Sequence, residues 1–481
     1  MIMSRAIALL LAGLALLAPA RATAGGFTIT IIGGRRTGMA TNIARPDDLT
    51  ALFHNPAGLA DQPGVRLHLS TSLTFLSTEF KLQQLDPDRF PEIDPDEWPV
   101  DSEGYYAEEI TPEKYFGVLP YLGGSTDLGF LGREDMVVSL AVYSPDFYGA
   151  FLPEEAPTAY HIIEGTFMVI ATTAGWGWRI NNYISVGASV SYHYMQLGYA
   201  QKFSTKDVVW ERPEDEGLAS AGQLLLGDLR LDYTGRDHGL GWGLGVLVDP
   251  TSWLTIGMSY NGATAARFEG DVKLRALARR FDQEQDPYAA TESVFNTFGY
   301  KVPRRLTVEM VIPHAVMFGL NFKVADWLEI GVDYRLWLYT LYKTQDLIPR
   351  YDPDDDPKLE EPMTAESLSR DKNYNLSFEA SLGFLVRPIS TFRDFEVMLG
   401  TFYDQSPIPD ETFTLDNPSL SQTGVAVGAR VLAWNHWRFA LTYMMLYYLP
   451  RDVRTSRTSP PTNARGTGLA HLPGFEVEYI F

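Results

Sequence analysis

The segment Ile184–Tyr194, with the sequence ISVGASVSYHY, decides the fold class because its side chains alternate between two kinds. Even-numbered positions carry apolar or aromatic side chains, and odd-numbered positions carry serine, glycine or histidine. A period of two residues is that of a β-strand, in which successive side chains point to opposite faces. We therefore expect a strand with one apolar face and one face of small, polar residues.

Two other segments repeat this pattern clearly, Val65–Leu76 and Leu328–Leu338. In the second, the charged side chains of Glu329, Asp333 and Arg335 all fall on the face opposite the apolar one. A β-sandwich also alternates, but a second sheet covers its apolar face. Small and charged residues that share one face favour a barrel whose apolar face meets lipid and whose polar face meets a wet lumen.

Fourteen segments alternate in this way between residues 65 and 481, with residues 228–248 taken as a single strand. Long connections alternate with tight turns such as residues 324–326 and 434–436. Outer-membrane barrels have an even number of strands, long extracellular loops and short periplasmic turns. The prediction is an all-β fold, a 14-stranded antiparallel transmembrane β-barrel over residues 65–481.

Composition excludes several other classes of protein. The formal net charge of −21 argues against binding to nucleic acid or to anionic membranes. The absence of cysteine from the sequence excludes disulfides, thiolate metal sites and a lipidated cysteine anchor. No stretch after residue 24 has the roughly 18 consecutive apolar residues of a membrane helix, so a closed barrel is the remaining way to cross a bilayer.

Both ends of the chain carry targeting signals. Residues 1–24 predict a signal peptide, with Arg5 before an apolar core and an A-x-A cleavage site at residues 22–24. The last strand alternates up to a terminal aromatic, Phe481, which resembles the signal that the barrel-assembly machinery recognises. We therefore expect export, insertion through Phe481 into the bacterial outer membrane, and contact with outer-membrane lipid.

Residues 33–60, GGRRTGMATNIARPDDLTALFHNPAGLA, do not alternate. They contain Gly38-Met39-Ala40, Ala44–Asp48 and the NPAG element within His54–Leu59. Together with Gly239–Gly245 and with Gly400–Pro407, which is close to the pattern GxxYDxSPV, they resemble the FadL/TodX family of outer-membrane transporters of long-chain fatty acids and aromatic hydrocarbons. The resemblance runs over essentially the whole mature chain.

The resemblance implies a monomeric barrel, plugged by an N-terminal hatch at residues 25–64, that takes up a hydrophobic small molecule without a cofactor. A ligand is expected to be captured in an apolar groove among the extracellular loops and to pass to a site above the hatch. It would then leave sideways where the third strand kinks, near Ser144-Pro145. A plug is physically sensible, because barrels of about 16 to 18 strands leave an aqueous channel when empty.

Five residues of the hatch are candidate plug residues, namely Gly38, Asn55, Pro56, Ala57 and Gly58. Asn55 precedes a proline and should therefore be extended, while Gly58 permits a tight turn. The same residues are also what a well-packed turn without any ligand contact would need. The sequence leaves both interpretations open.

Three cations of the hatch, Arg35, Arg36 and Arg45, are candidates for pairing with the barrel wall. Alternation directs eight charged side chains of the barrel into the lumen: Glu329, Asp333, Arg335, Glu379, Glu396, Asp404, Arg430 and Arg438. One hypothesis is that the acids pair with the hatch arginines and hold the hatch. The other is an ordinary solvated lumen, in which isolated pairs contribute only about 0 to 1 kcal/mol.

The candidate ligand groove lies in two long loops and consists of Leu218, Leu224, Leu225, Leu277 and Phe281. Apolar side chains exposed outside a membrane usually mark a binding site, and each buried CH2 group contributes roughly 0.8 kcal/mol. The alternative is that these side chains pack the loops on themselves. The acidic loop runs lack the spacing of an EF-hand, so no metal site is assigned.

The sequence is also compatible with two other functions, a barrel enzyme and an unspecific porin. A barrel enzyme would need a nucleophile or an acid–base set near one rim, but the eight histidines are scattered and none is paired with serine by motif, so we assign no catalytic residue and expect no enzyme. An unspecific porin would show a large steady conductance instead of a plugged lumen. Whether the ligand is a fatty acid or a neutral hydrocarbon depends on a buried cation, which the sequence does not locate.

Overall fold

The computed structural model describes residues 30–112, 115–205, 225–359, 361, 369–388 and 394–481. The predicted signal peptide, residues 25–29 of the hatch, and the groove candidates Leu218 and Leu224 lie outside the described residues. None of the helices in the described ranges has the length and apolar character needed to cross a membrane.

Fourteen antiparallel strands form one sheet that closes on itself, as predicted. The strands are β1 (Arg66–Leu82), β2 (Tyr115–Leu128), β3 (Arg133–Phe151), β4 (Glu164–Arg179), β5 (Ile184–Phe203), β6 (Leu229–Thr251), β7 (Leu254–Asn261 and Thr264–Ala276), β8 (Arg305–Ile312 and Ala315–Ala325), β9 (Leu328–Trp337 and Thr344–Arg350), β10 (Arg370–Asp371 and Ser377–Val386), β11 (Phe395–Asp404), β12 (Gln422–Ala433), β13 (Trp437–Asp452) and β14 (Ala464–Ile480). Strand β14 pairs with β1 along its whole length, which closes the barrel. The region from 228 to 248 is a single strand, as the sequence indicated.

The two faces of the sheet follow the alternation seen in the sequence. On β5, Val190 and Tyr192 are exposed on the outer surface, whereas Ser189 and Ser191 are buried on the inner one. At the short turns the outer surface ends in exposed tryptophans: Trp253, Trp327 and Trp434. An outward apolar band with an aromatic border is the surface that a bilayer requires of a barrel.

Residues 30–64, hereafter the plug segment, lie inside the barrel and are mostly buried. The segment contains α1 (Gly34–Met39), α2 (Ala51–His54) and a 3-10 turn at Pro56–Asp61. Asn55 is extended, with a φ of −159°, as expected for a residue before proline. Its side-chain oxygen accepts from the backbone N–H of Ala57 and so caps the 3-10 turn.

A belt of inward-facing glycines brings the wall into close contact with the plug segment. Adjacent strands place these glycines opposite one another: Gly177, Gly187 and Gly245 in one row, Gly257 and Gly319 in a second, and Gly331, Gly383 and Gly400 in a third. A Cβ atom on Gly257 would lie 2.6 Å from the Cα atom of Ala44. Only glycine leaves room for backbone to meet backbone at this level.

Strand β3 leaves its neighbour β2 part of the way along. Pairing between the two strands ends where Tyr121 faces Tyr143, and beyond that point β3 pairs with β4 alone. The ladder with β4 slips between Tyr143 and Asp146, where β3 has one residue more than its partner. Such a bulge bends a strand, and the bend lies at Ser144-Pro145, the position that the family resemblance indicated.

We expect the Gly400→Ala substitution to destabilise the folded barrel by about 1 to 3 kcal/mol, because the added methyl group would collide with the carbonyl oxygen of Met39 in the plug segment. The measurement is the temperature at which the protein loses its compact migration on a semi-native gel. Gly124→Ala is the matched control, since its Cβ atom would come no closer than 3.3 Å to any neighbour. Equal transition temperatures for the two variants would contradict a tight fit between plug and wall.

Candidate functional site

The interior of the barrel holds the plug segment through buried ion pairs. Nη2 of Arg36 lies 2.5 Å from Oε2 of Glu379 on β10, and both side chains are buried. Arg335 on β9 contacts the other oxygen of the same carboxylate at 2.5 Å and donates to the side chain of Asn42 at 2.7 Å. Asp333 accepts from two backbone N–H groups of the plug segment. Two wall strands thereby fix the first half of the segment.

A second group of ion pairs surrounds Asp47, at the end of the barrel that carries the short turns. Its carboxylate accepts from Arg430 on β12 at 2.7 Å and from Arg35 at 3.0 Å, and its backbone carbonyl accepts from Arg438 on β13 at 2.8 Å. Burial by itself raises the pKa of the Asp47 carboxyl, but Arg430 and Arg35 outweigh it and hold the pKa well below its ordinary value. Asp47 therefore stays charged and links the plug segment to two further strands.

All three arginines of the predicted hatch have a carboxylate partner, because Arg45 also pairs with Glu329 on β9, at 3.2 Å. Glu329, Glu379 and Arg36 are each at most 1 % exposed, which favours pairing over a solvated lumen for these groups, whereas the side chain of Arg45 is 42 % exposed. Removing one partner of a buried pair leaves an uncompensated charge, which costs about 3 to 5 kcal/mol. The pairs therefore resist any displacement of the plug segment.

Sequence reasoning missed several wall contacts of the plug segment. Glu476 on β14 accepts from the backbone N–H of Gly34 at 2.6 Å, and Asn321 on β8 accepts from Arg35 at 3.2 Å. The alternation of the last strand already directed Glu476 inward, so that signal was present in the sequence. Asn321 carries no charge, and its contact becomes visible only once β8 lies beside the plug segment.

The NPAG element also contacts the wall. Nδ2 of Asn55 donates to the carbonyl oxygen of Ile43 at 2.9 Å and to that of Val246 on β6 at 3.3 Å. The side chain thereby joins the two halves of the plug segment to each other and to the barrel. The remaining candidate plug residues, Gly38, Pro56, Ala57 and Gly58, are buried in the same packing.

On the loop side of the plug segment, a cavity of about 210 Å³ lies beside the bend in β3. Apolar side chains from both sides of the barrel form much of its lining: Leu76, Phe80, Leu119, Phe147, Phe402, Leu446 and Leu472. Thr30 and Ile31 of the plug segment contribute to its wall. The charged side chains among its lining residues are Arg36, Glu379 and Asp404.

The described groove candidates differ in their surroundings. Phe281 is 4 % exposed and packs in a loop cluster with Leu226, Leu274, Phe295 and Tyr300. Its position matches the alternative that these loops pack on themselves. Leu225 and Leu277 are half-buried, so part of each side chain remains available at the loop surface.

Other chemistry in the interior is limited. Within the described ranges, His, Asp and Glu side chains form no group of three or more that is arranged to hold a metal ion. His54, beside the NPAG element, bonds through Nε2 to the carbonyl oxygen of Ile32 at 2.8 Å. That contact makes His54 part of the packing within the plug segment.

We expect the double substitution Arg35→Gln and Arg36→Gln to raise the passive leak of small ions, because Asp47, Glu329 and Glu379 would each lose the ion pair that ties them to α1 of the plug segment, while keeping their other arginine partners. Conductance of the purified protein in planar bilayers measures the leak. The control is Arg267→Gln with Arg305→Gln, whose ion pairs are more than half exposed on the arginine side. A leak equal to that of the control would show that the ion pairs do not hold the plug segment.

Comparison with known proteins agrees with this geometry. A family model described as outer membrane protein transport protein (OMPP1/FadL/TodX) matches residues 15–471. The chain is similar to the crystal structure of a Pseudomonas aeruginosa FadL homologue, with 13 % identity, a TM-score of 0.74, and coverage of 95 % of this chain and 100 % of that chain. A comparison with curated protein sequences finds no match.

Two toluene transporters of known structure are also similar to the chain. TodX of P. putida has 15 % identity and a TM-score of 0.59, over 95 % of this chain and 99 % of that chain. TbuX of Ralstonia pickettii has 15 % identity and a TM-score of 0.58, over 93 % of this chain and 97 % of that chain. Similarity at such low identity shows the fold, whereas the family model spans most of the chain and shows the family. The protein therefore belongs to the OMPP1/FadL/TodX family of outer membrane transport proteins.

Proposed function

We propose that the protein carries hydrophobic molecules into the outer membrane by passive diffusion. A ligand enters through the loops, binds in the cavity above the plug segment, and leaves between β2 and β3. The observation that carries this proposal is the mainly apolar cavity of about 210 Å³, which lies where β3 leaves β2. Two of the similar structures are toluene transporters by name, which supports a hydrophobic ligand.

Burial of apolar surface supplies the affinity. Leu76, Phe402 and Leu472 lie on different strands but line the same cavity, so a ligand there would be surrounded by apolar side chains. Each CH2 group that a ligand buries contributes roughly 0.8 kcal/mol. A ligand that buries about eight such groups would gain roughly 6 kcal/mol of binding free energy, from which the cost of its lost translational, rotational and conformational entropy is subtracted. Specific polar contacts are not needed for useful binding.

The charged groups of the cavity favour an uncharged ligand. They comprise Glu379 and Asp404 against Arg36, and Arg36 is already paired with Glu379. A ligand carboxylate would therefore find no unpaired cation among the lining residues that the structure describes. Burial of an unpaired charge costs several kcal/mol. Neutral hydrocarbons are for this reason our preferred ligands, ahead of fatty-acid anions.

The exit that we propose is lateral. The plug segment fills the lower half of the barrel and is held by charged groups, which an apolar molecule would have to displace. Beyond Tyr143, in contrast, residues 115–120 of β2 pair with β1 only, and β3 pairs with β4 only. The hydroxyl of Ser144 donates to the carbonyl oxygen of Val169 at 2.8 Å and so stabilises the bend in β3. An apolar ligand can pass from the cavity to lipid there without entering water.

Leu76→Asn should weaken the binding of naphthalene about tenfold. Full burial of a leucine side chain contributes about 1.5 to 3 kcal/mol, and the variant loses the part of this contribution that comes from contact with the ligand. The measurement is quenching of naphthalene fluorescence on purified protein in lipid nanodiscs. Leu131→Asn is the control, because Leu131 is exposed in a short turn. Equal affinity of the Leu76→Asn and Leu131→Asn proteins for naphthalene would remove the cavity as the binding site.

In competition with naphthalene, laurate should bind more weakly than dodecane.

Deletion of Pro145 should abolish uptake, because it removes the extra residue of β3 and lets the ladder with β4 continue without a bend. Uptake of radiolabelled naphthalene by cells that depend on the protein is the measurement. Deletion of Pro450 is a matched control, since that proline lies in a one-residue bulge between β13 and β14. Undiminished uptake after deletion of Pro145 would contradict the lateral exit, whereas wild-type uptake no greater than that of cells lacking the protein would contradict the transport function.

A further inference from the structure

The barrel wall has a second interruption, between β6 and β7. Regular pairing of these strands ends where Gly243 faces Asn261 and resumes where Arg236 faces Glu269. Residues 237–242 of β6 and residues 262–268 of β7 lie between these points and are not paired in register with each other. We call these two stretches the seam.

The two strands of the seam remain paired with their neighbours on the far sides, β6 with β5 and β7 with β8. Residues 237–242 continue the ladder with β5 without a shift, and residues 264–268 continue the ladder with β8. The interruption is therefore confined to one strand boundary. Hydrogen bonds that cross it include Gly262 N–H to the carbonyl of Trp242 at 2.9 Å, the Thr264 hydroxyl to the carbonyl of Leu240 at 3.3 Å, and Arg267 N–H to the Asp237 carboxylate at 2.5 Å.

The seam lies at the same level of the barrel as the bend in β3. The register leads from one to the other, because Tyr143 on β3 faces Ala171 on β4, Ala171 faces His193 on β5, and His193 faces Gly239 on β6. Strand pairs place such residues side by side around the wall. Strands β3, β4, β5 and β6 therefore lie between the two interruptions of the wall.

A second cavity, of about 80 Å³, connects the two places. Its lining includes three residues at the bend in β3, namely Tyr143, Pro145 and Asp146. It also includes five residues at or beside the seam, namely Gly241, Trp242, Asn261, Gly262 and Thr264. A small molecule that reaches the level of the bend in β3 thus has a space that leads across the lumen to the seam.

On its β6 side, the seam has little side-chain material facing the lumen. The inward positions of β6 there are Gly239 and Gly241, and a Cβ atom on Gly241 would already touch the ring of His193. By comparison, the interruptions in β9 and β10 at a similar level are filled by buried aromatic side chains, those of Tyr339, Tyr342 and Tyr374. The wall is therefore thin on the β6 side of the seam, whereas the β7 side carries the buried side chains of Thr264, Ala266 and Phe268.

On the outside, the indole of Trp242 lies over Gly262 of the seam. A Cβ atom on Gly262 would lie within 3.0 Å of several ring atoms of Trp242, so the indole rests on this glycine. Tyr260 contacts the same indole, with 5.1 Å between ring centroids, and hydrogen-bonds His314 at 2.7 Å. Aromatic side chains of this kind mark the level where the hydrocarbon layer of a membrane meets its polar surface.

We propose that the seam is a second lateral passage, covered by Trp242, for compact uncharged aromatic molecules that carry a hydroxyl group. The hydroxyl preference follows from the inward groups of the second cavity, Ser191, His193 and Asn261, which offer hydrogen bonds along the way. The passage rests on the proposed transport function and adds a second exit to it. A wall that lacks regular pairing over six residues opens at a lower cost than a complete ladder.

A disulfide across the seam tests the passage, and the chain contains no cysteine that would interfere. A Cβ atom on Gly239 lies 2.8 Å from Cγ2 of Thr264, which puts the two Cβ atoms within about 4.5 Å, the reach of a disulfide. The double variant Gly239→Cys with Thr264→Cys should take up radiolabelled naphthol more slowly by about half when oxidised, and recover on reduction. Two exits of similar size acting in parallel would give this loss.

The matched control is Gly198→Cys with Thr166→Cys, a glycine–threonine pair in the uninterrupted ladder of β4 and β5, where the two Cβ atoms would be 3.7 Å apart. Its uptake of naphthol should not depend on oxidation. Uptake that is the same before and after oxidation of the seam variant would overturn the passage. If wild-type protein itself gives no uptake of naphthalene or naphthol, the transport function fails, and the passage fails with it.

A second variant tests the cover without a new bond. Trp242→Ala should raise the rate of naphthol uptake about twofold, because the seam then lacks its outer lid, with a smaller effect on naphthalene. Trp253→Ala removes an equally exposed tryptophan at a short turn, away from the seam, and should change neither rate. An unchanged rate in Trp242→Ala, with the folded barrel confirmed by its gel migration, would count against the seam as a passage.

Discussion

Burial of charge inside the barrel is the constraint on which the rest of the interior depends. The plug segment brings Arg35 and Arg36 into a space with little water, where each unpaired charge would cost several kcal/mol. The wall supplies the matching carboxylates from different strands, including Glu329 on β9 and Glu379 on β10. Because these strands are held in register by the barrel, the acids form a fixed pattern. The arginines of the plug segment meet these acids in the position that the structure shows.

Shape adds to charge at the same level of the barrel. The inward-facing glycines of neighbouring strands let the backbone of the plug segment approach the wall, as Gly257 does with Ala44. A larger side chain at any of these places would push the arginines away from their partners. Asn55 then links the far half of the plug segment to β6. Close packing and ion pairing therefore depend on each other.

This arrangement divides the interior into two parts with different chemistry. The lower part, near the short turns, contains the plug segment and most of its ion pairs. The upper part contains the apolar cavity that Leu76 and Leu472 line from opposite sides of the closure between β1 and β14. The ion pair of Arg36 with Glu379 lies at the boundary between the two parts and contributes to the cavity lining.

The local pattern of the sequence determined much of the fold. Alternation shows which residues share a face, and it can be read from each strand without knowing that strand's neighbours. The number of strands and the single strand at 229–251 were therefore predictable. So was the inward direction of Glu379 and Arg430. The NPAG element and the arginines of the hatch likewise indicated a separate interior segment. The sequence also placed the departure of β3 near Ser144-Pro145 through a family resemblance.

Only the tertiary structure decided which groups meet. The pairing of Arg36 with Glu379 joins positions far apart in the chain, and it depends on the barrel closing with one register. The same holds for the glycine belt, for the two cavities, and for the seam between β6 and β7, since each is built from several strands at one level. Phe281 is an example of what the sequence leaves undecided. An apolar side chain in a long loop fits either a ligand groove or the packing of the loops on themselves, and in the structure Phe281 is buried in a cluster of loop side chains. The direction in which a side chain points depends on its own strand, whereas the residue that it contacts depends on how the strands are arranged in the closed barrel.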